Sequence, residues 1–387
     1  MSTSRRFRQR GAGGLLVALL LAACSQSQER NAAAPTPPGS TSPAVSAGVD
    51  ATRAHVAAQR RLPPTAPGQK PPQFIVVSFD GAGNPNLWKH WLQVSHDTGA
   101  HFTFFLSGVY LLTEATRKHY LPPRHAPGSS DIGFAITEGG PDPVAAIGHL
   151  IDNLDTAYLS GHEIGSHFNG HFCSLSRGVG SWNRADWTQE IHQFDQLMDN
   201  VNANNGLSSP HPVFTSKAVL GARTPCLAGK PSALYPAEVA AGWRYDASTN
   251  APEGVWPFRK GGLWQMPLAS ARVAGTSRHT LSSDYNMYTF QTSAKRGPAS
   301  RFPALRSQAL ATWQGLYDRS YRGDRSPVII GNHFETWNGG AYTDSLTDFL
   351  EANCRKPDTY CVSNEELLHW LQAEPPATLA ALSKPRS

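Results

Sequence analysis

Short apolar runs of β character alternate with helical segments from residue 73 to residue 373, and this alternation limits the possible folds more than any other feature of the chain. The alternation predicts an α/β fold with a mainly parallel sheet, built as one barrel-like domain rather than two. We see no internal repeat in the sequence. The predicted strands cover residues 74–79, 101–106, 219–223, 243–246, 263–268 and 327–331, and the predicted helices cover 86–98, 144–160, 184–202, 232–241, 302–321, 345–352 and 365–372.

The N-terminus has the pattern of an export signal. Four arginines within residues 5–10 precede an apolar run over 14–22, which is too short to span a bilayer as a stable helix. The string Leu-Ala-Ala-Cys ending at Cys24 resembles a bacterial lipobox, whereas an ordinary signal peptide is the alternative. We therefore expect a signal peptide over residues 1–23 and a lipidated Cys24. Ser25 then suggests the outer membrane, facing the periplasm, in a Gram-negative host, and otherwise the outer face of the cell membrane.

Composition changes mark the other predicted boundaries. Residues 24–72 are rich in Ser, Ala, Pro and Gln and are interpreted as a flexible tether behind the lipid anchor. The folded domain is predicted over residues 73–373, followed by a C-terminal tail over 374–387. Residues 107–141 form a long polar, Pro-rich insertion of the kind that shapes access to a site.

The charge balance argues against nucleic-acid binding. The chain has 34 basic and 29 acidic side chains, and without the four arginines of the leader 30 basic side chains remain. The excess of positive charge therefore belongs to the leader and forms no binding face.

Four cysteines remain besides Cys24, and an exported compartment permits disulfides between them. Cys173, Cys226, Cys354 and Cys361 allow three pairings. The short loop that it would close favours a Cys354–Cys361 bond. No C-x-x-C pair or zinc-ribbon spacing is present, so a structural thiolate metal site is not expected.

Residues 161–171 (GHEIGSHFNGH) are the most distinctive local feature. On a helical turn, the spacing of four would put His167 and His171 on one face, as in many metal sites built from histidine pairs. Neutral imidazole is a common ligand for zinc and similar cations. In a chain with 15 histidines, a chance pair is the alternative.

Residues 161–171 also resemble the second motif of the polysaccharide deacetylases, the NodB-homology family known as carbohydrate esterase family 4, in the branch that resembles chitin deacetylases. The other motifs of the family have similar counterparts in the same order. These are the segments SFDGA over 78–82, RTPC over 223–226, GWRYDAS over 242–248, LWQMP over 263–267 and GNHF over 331–334. The resemblance implies a distorted (β/α) barrel with seven strands.

The resemblance also implies roles for individual residues. His167, His171 and Asp80 would hold a divalent metal, zinc in the first place, with cobalt, nickel or manganese as alternatives. Asp80 would be the general base, Arg223 would orient it, and His333 would be the acid. Hydrolysis of an N-acetyl group needs an activated water and a proton for the departing amine, which such a set supplies.

The first motif departs from the family at Gly81, where a second Asp is usual and acts as a metal ligand. Three alternatives follow: Asp80 turns to the metal and another group is the base, the metal has two protein ligands plus another, or the protein is inactive. Asp284, Glu335 and Asp246 are candidates to replace the missing carboxylate.

Two further departures concern the loops beside the predicted metal. Phe168 stands where the family has Ser or Thr, and Cys226 stands where it has Tyr, whose backbone N–H helps to stabilise the oxyanion. Cys226 could retain that role. Since Cys173 and Cys226 both flank motifs that border one pocket in the family, a bond between them is expected.

Other residues are assigned as follows. Trp337 is predicted to stack on a sugar ring, and Asp284, in a segment resembling a family "DYN" motif, is predicted to line the pocket. His162 and Glu163 are interpreted as structural.

The sequence therefore predicts a monomeric, lipid-anchored, metal-dependent hydrolase that removes N-acetyl groups from an amino-sugar polysaccharide (chitin-like, peptidoglycan or exopolysaccharide). The alternatives are a catalytically impaired glycan-binding relative on the same fold, prompted by Gly81, and an O-deacetylase or a hydrolase of a small cyclic amide.

Overall fold

The computed structural model describes residues 43–137 and 140–382. The predicted signal peptide and Cys24 lie outside these residues. Within them, no helix has both the length and the apolar character needed to cross a membrane.

Twelve strands form two sheets in the described residues. In chain order they are β1 (Gln73–Gly81), β2 (Thr103–Leu106), β3 (Glu163–Ser166), β4 (Gly221–Ala222), β5 (Tyr245–Asp246), β6 (Asn250–Pro252), β7 (Phe258–Lys260), β8 (Leu263–Gln265), β9 (Leu268–Arg272), β10 (His279–Leu281), β11 (Val328–His333) and β12 (Thr359–Val362).

The larger sheet is a curled, parallel half-barrel, which confirms the predicted α/β barrel class. Seven consecutive parallel strands follow the order β11-β1-β2-β3-β4-β5-β8. β12 runs parallel to the start of β1, and β7 adds an antiparallel edge beside β8. β10, β9 and β6 form the smaller sheet.

Ser282 and Ser283 join the smaller sheet to β11. Ser283 forms an isolated parallel bridge with Gly331, whose N–H donates to the Ser282 carbonyl at 2.9 Å. The Ser282 hydroxyl donates to the Ile329 carbonyl at 2.6 Å. This segment therefore approaches β11 on the side away from β1 and carries the next residue, Asp284, to the end of β11.

Eleven α-helices surround the sheets in the described residues, with short 3₁₀ turns between them. The helices are α1 (Pro43–Ala58), α2 (Pro85–Thr98), α3 (Pro143–Leu159), α4 (Arg184–Asp199), α5 (Val201–Asn205), α6 (Pro231–Ala240), α7 (Asp284–Thr292), α8 (Phe302–Arg322), α9 (Trp337–Asn353), α10 (Asn364–Ala373) and α11 (Pro376–Leu382).

The central strands are buried on both faces, as a parallel sheet covered by helices requires. The first seven residues of β1 are all buried, and this explains its unbroken apolar run. Four tryptophans, Trp88, Trp182, Trp187 and Trp313, are buried in the core.

The predicted tether and tail extend too far into the folded part. His55 of α1 is 3% exposed, stacks on Tyr158 with ring centroids 4.0 Å apart, and hydrogen-bonds Glu365. The prediction of a flexible tether is therefore wrong for residues 43–58, whose Ala-rich sequence shows little amphipathic pattern. The predicted tail likewise contains α11, after a buried Glu374 that accepts hydrogen bonds from the Thr65 backbone N–H and hydroxyl.

Candidate active site

A cavity of about 250 Å³ opens at the carboxyl ends of the parallel strands, where barrel folds assemble sites from separate loops. Its wall contains five of the predicted site residues and part of the 107–141 insertion. The lining residues that bear on the chemistry are Asp80, Gly81, Ser107, Tyr110, Ile132, Ile136, His167, His171, His333, Glu335 and Trp337.

Asp80 reaches the cavity from the end of β1 and is held by a buried arginine. Arg223 Nη1 donates to Asp80 Oδ1 at 2.8 Å and to Ser78 Oγ at 2.7 Å, while Arg223 Nε donates to the Ala247 carbonyl at 3.0 Å. Burial opposes ionisation of Asp80, but the positive charge and hydrogen bond of Arg223, with further contributions from His167 and His333, together lower the pKa of Asp80. The carboxylate is therefore ionised, and only Oδ1 is bonded to the guanidinium.

His333 ends β11 and is fixed by Asp284. Its Nδ1–H donates to Asp284 Oδ1 at 2.7 Å, and its backbone N–H donates to Asp284 Oδ2 at 2.8 Å. Burial alone would lower the pKa of His333, but the negative charge and hydrogen bond of Asp284, with a further contribution from Asp80, raise it to about 9. The ring is thus cationic at neutral pH, and Nε2 remains for a ligand.

The expectation that Asp284 lines the pocket is wrong. Asp284 is 2% exposed and lies outside the set of described residues that line the cavity. Both of its carboxylate oxygens accept hydrogen bonds from His333. Asp284 is therefore a positioning residue for His333. It is the first residue of α7 and directly follows Ser283, whose bridge with Gly331 brings this segment to β11.

The two predicted metal-ligating histidines lie in a loop and not on a helical turn, which corrects the first expectation from their spacing. Phe168 and His171 have φ of 57° and 55°, outside the helical region, so the loop folds back after β3. The rings of His167 and His171 nevertheless have centroids 5.2 Å apart. His167 Nδ1–H donates to the Arg223 carbonyl at 2.8 Å, which leaves Nε2 with the lone pair.

Both imidazoles are neutral in this environment. Burial lowers the pKa of His167 to about 3 and also lowers that of His171. Neutral imidazole nitrogens are the form that binds a divalent cation.

A second set of buried groups holds the loop between the two histidines. The Asn169 backbone N–H donates to Glu190 Oε1 at 3.1 Å, and Asn169 Nδ2 donates to the Glu190 carbonyl at 2.9 Å. The Tyr120 hydroxyl donates to Glu190 and accepts from the Gly170 N–H at 3.2 Å. Phe168 packs against Trp187, with centroids 4.9 Å apart. We call these contacts the Glu190–Tyr120 brace.

The donor set fits a cation only in part. Among the described His, Cys, Asp and Glu side chains, one group of three has all its ligand atoms within 4.8 Å of one another: His171, Cys173 and Cys226. Because the two sulfurs form a disulfide, that group offers no thiolate. The pair His167 and His171 fits a cation as neutral nitrogen donors, whereas Asp80 does not join them as a third ligand in this arrangement.

None of the candidate replacements for a carboxylate at position 81 joins the pair either. Glu335 lines the cavity but forms no such group with the histidines. Asp284 binds His333, and buried Asp246 accepts from the Ser248 hydroxyl at 2.6 Å.

Both expected disulfides are present. Cys173 bonds Cys226 and ties the histidine loop to the turn that follows Arg223, and Cys354 bonds Cys361. Cys226 itself is exposed and lies outside the cavity wall formed by the described residues, so its role in substrate binding stays a prediction.

An aromatic cluster borders the cavity beside His333. Trp337 is half-buried, stacks on Tyr288 with centroids 5.1 Å apart, and lies 5.4 Å from the His333 ring. Tyr285 is 46% exposed and meets Trp337 edge-on at 5.5 Å. The insertion contributes Tyr110, Ile132 and Ile136 to the cavity wall, as expected for a segment that shapes access.

His162 and Glu163 are structural, as interpreted from the sequence. His162 Nδ1 accepts from the Phe102 N–H at 2.9 Å. Glu163 is buried and accepts from the Tyr245 hydroxyl, the Thr103 hydroxyl and the Glu365 N–H, each at 2.8 Å.

Sequence reasoning missed Ser107, Tyr110, Glu190 and Tyr120. Ser107 follows directly after β2, so the rule that rim residues follow parallel strands could have found it. The Glu190–Tyr120 brace leaves no signal in spacing, because 70 residues separate its members.

The chain matches no family model and no curated protein. Solved structures that it is similar to include a protein from Mycobacterium smegmatis assigned as a polysaccharide deacetylase, at 13% identity over 85% of this chain and 98% of that chain, with a TM-score of 0.48. A CE4 esterase from Streptococcus mutans is 15% identical over 75% and 85% of the two chains, with a TM-score of 0.41. A CE4-family pseudoenzyme from Bacillus anthracis is 9% identical over 79% and 70%, with a TM-score of 0.39. The case for function depends on the side chains described above.

Proposed function

We propose that this chain is a cation-dependent hydrolase that removes N-acetyl groups from an amino-sugar glycan. One observation supports it above all: Asp80 and His333, each fixed by its own partner, line one cavity together with two neutral imidazoles. An ionised carboxylate and a protonated imidazole in one cavity are the base and acid that amide hydrolysis needs.

The proposed role of each residue follows from its hydrogen bonds. Asp80 Oδ2, the oxygen not bonded to Arg223, accepts the proton of the attacking water. His333 Nε2–H donates a proton to the departing amine, while Asp284 holds Nδ1. His167 and His171 would hold the cation, which supplies Lewis acidity toward the amide carbonyl when bound. Zinc suits two imidazole donors best, with cobalt, nickel and manganese as alternatives.

The substrate is proposed from the shape and chemistry of the walls. Trp337 and the exposed Tyr285 offer aromatic faces for a sugar ring beside His333. The cavity of about 250 Å³ is small and suits a single acetylated sugar at the reacting position.

The test is acetate release from N-acetylated chito-oligosaccharides, peptidoglycan strands and O-acetylated glycans. The protein is loaded in turn with zinc, cobalt, nickel or manganese, and then treated with a chelator. We expect release from an N-acetylated substrate, loss of release on chelation and recovery on adding back the cation. Release from O-acetyl esters alone would change the bond that is hydrolysed, and no release from any substrate would remove the enzyme proposal.

Gly81 favours a second candidate, a glycan-binding protein that retains the fold without turnover. It predicts saturable binding of an acetylated chito-oligosaccharide, measured by calorimetry, with no acetate released at any cation load.

The proposed setting is the cell envelope, with the domain as a monomer on a lipid anchor at Cys24. Replacing Cys24 with Ala should then move the protein from the membrane fraction to the soluble fraction, whereas retention in the membrane fraction would contradict the anchor.

A further inference from the structure

Ser107 carries a buried hydroxyl without a hydrogen-bond partner in the wall of the cavity. The residue is 0% exposed, and its Oγ has no partner. It precedes the 3₁₀ turn Gly108–Leu111 in the N-cap position, yet its side chain makes no capping hydrogen bond. Buried polar groups in native proteins almost always have a partner, so this hydroxyl is available to a ligand.

The backbone fixes Ser107 between position 81 and the first histidine. The Ser107 N–H donates to the Gly81 carbonyl at 3.2 Å, and the next N–H, of Gly108, donates to the Phe168 carbonyl at 2.8 Å. The His167 N–H donates to the Leu106 carbonyl at 2.8 Å. Ser107 is thus the central residue of a row at the sheet edge, with Gly81 on one side and His167 on the other.

Strand register puts Ser107 and His167 on the same side of the sheet as Asp80. Asp80 pairs with Phe105, and Phe105 pairs with Gly165. Ser107 and His167 each lie two residues further along, and side chains alternate with a period of two in extended chain. Ser107 keeps extended dihedrals, with φ −84° and ψ 115°.

The backbone at position 81 disfavours a carboxylate side chain. Gly81 has φ of 87°, a conformation that strains residues with a side chain. A Cβ built there would lie 3.5 Å from the Tyr110 phenol oxygen, which is ordinary van der Waals contact, so the backbone conformation and not the space disfavours a side chain at this position. The oxygen donor that the histidine pair lacks must therefore come from another residue.

We propose that Ser107 Oγ is this donor, and that it binds the cation together with His167 and His171. The inference rests on the proposed function in one respect, because it assumes the divalent cation that the proposed function requires. A hydroxyl is a neutral oxygen ligand, so this site carries one negative charge less than a His–His–Asp site. It should consequently bind divalent cations more weakly than such a site.

A Ser107→Cys variant tests the position directly. A thiolate that reaches the cation gives a sulfur-to-cobalt charge-transfer absorption in the near ultraviolet when one equivalent of Co²⁺ is added. We expect this band in Ser107→Cys and not in the wild type. The matched control is Thr249→Cys, because Thr249 also has an unpartnered buried hydroxyl but lies outside the cavity wall. No band in Ser107→Cys, or an equal band in the control, overturns the proposal.

A Ser107→Ala variant tests the native ligand. We expect a zinc dissociation constant at least about 10-fold higher, because even the loss of an outer partner of a metal ligand weakens binding about 10- to 100-fold. The thermal midpoint of the cation-free protein should stay the same or rise, because a buried hydroxyl without a partner is removed. Wild-type zinc affinity overturns the proposal, and so does a lower midpoint together with weaker binding, which would mark Ser107 as structural.

These readouts separate the inference from the proposed function. Cobalt binding through Ser107→Cys in a protein that releases no acetate supports the ligand and removes the hydrolase. Cation-dependent acetate release without the cobalt band supports the hydrolase and removes the ligand.

Discussion

The cavity has two halves that are built on opposite principles. The charged half consists of Asp80 with Arg223 and His333 with Asp284, and each reacting group has an oppositely charged partner at 2.7–2.8 Å. The imidazole half consists of His167 and His171, both neutral, beside Gly81 and Ser107. Under the proposed function, this difference assigns proton transfer and cation binding to separate groups, so variants in the two halves should fail in different ways.

The largest expected effect is in the charged half. Asp80→Asn removes the base while its amide oxygen can still accept from Arg223, so we expect the fold to remain and kcat to fall about 1,000-fold. Acetate release from an N-acetylated chito-oligosaccharide measures it, with thermal unfolding as the control. A variant with more than a tenth of wild-type activity would contradict the assignment of Asp80.

The next effect sharpens the role of Asp284. Because His333 acts while protonated, activity should be lost as the pH rises through about 9, the pKa given to His333 by Asp284. Asp284→Asn removes the negative charge, lowers that pKa and moves the alkaline limb of the kcat profile to lower pH, with kcat at pH 7 reduced about 10- to 100-fold. An alkaline limb at the same pH in both proteins would be inconsistent with this pairing.

A smaller effect is expected from the brace behind the imidazole half. Tyr120→Phe removes the hydroxyl that joins Glu190 to the Gly170 N–H, so the loop that carries His171 loses a support. Zinc affinity should fall about 10-fold, as for other outer partners of metal ligands, while the alkaline limb set by His333 stays in place. A shifted limb with unchanged zinc affinity would show that the two halves are not separate.

The smallest expected effect on the site comes from removing the Cys173–Cys226 bond. Replacing both cysteines with Ser should lower the free energy of unfolding by about 2–4 kcal/mol and reduce zinc affinity only a few-fold, since Glu190 and Tyr120 still hold the loop. Chemical denaturation and zinc titration check the two parts. The matched control replaces both cysteines of the Cys354–Cys361 bond with Ser. This bond does not join the histidine loop to another segment, so its removal should leave zinc affinity unchanged.

The sequence predicted the elements whose patterns are local and strong. β1 and β11 are apolar runs that end in polar rim residues, so their strands and the placement of Asp80 and His333 were foreseen. β3 was not, because its sequence EIGS is short and contains one β-branched residue. The helix α1 falls within the predicted flexible tether, because its Ala-rich sequence shows no clear apolar face that would predict a packed helix.

The site was predictable where motif order links distant segments. Asp80 and Arg223 are 143 residues apart, and only the family resemblance joined them before the structure did. The contact of Asp284 with His333 depends on the bridge between Ser283 and Gly331, and the position of Ser107 depends on strand register. No spacing in the sequence encodes either feature. The histidine spacing suggested a helix, whereas the left-handed backbone at Phe168 turns the loop instead.

The most direct test of the two-part cavity is the zinc-binding isotherm of the wild type, Asp80→Asn and His167→Ala, measured by calorimetry on the purified domain. We predict that Asp80→Asn binds zinc within about tenfold of the wild type although its kcat is about 1,000-fold lower, and that His167→Ala loses at least about 100-fold in affinity. Equal losses in the two variants would contradict the account, because Asp80 would then belong to the cation site and not to proton transfer.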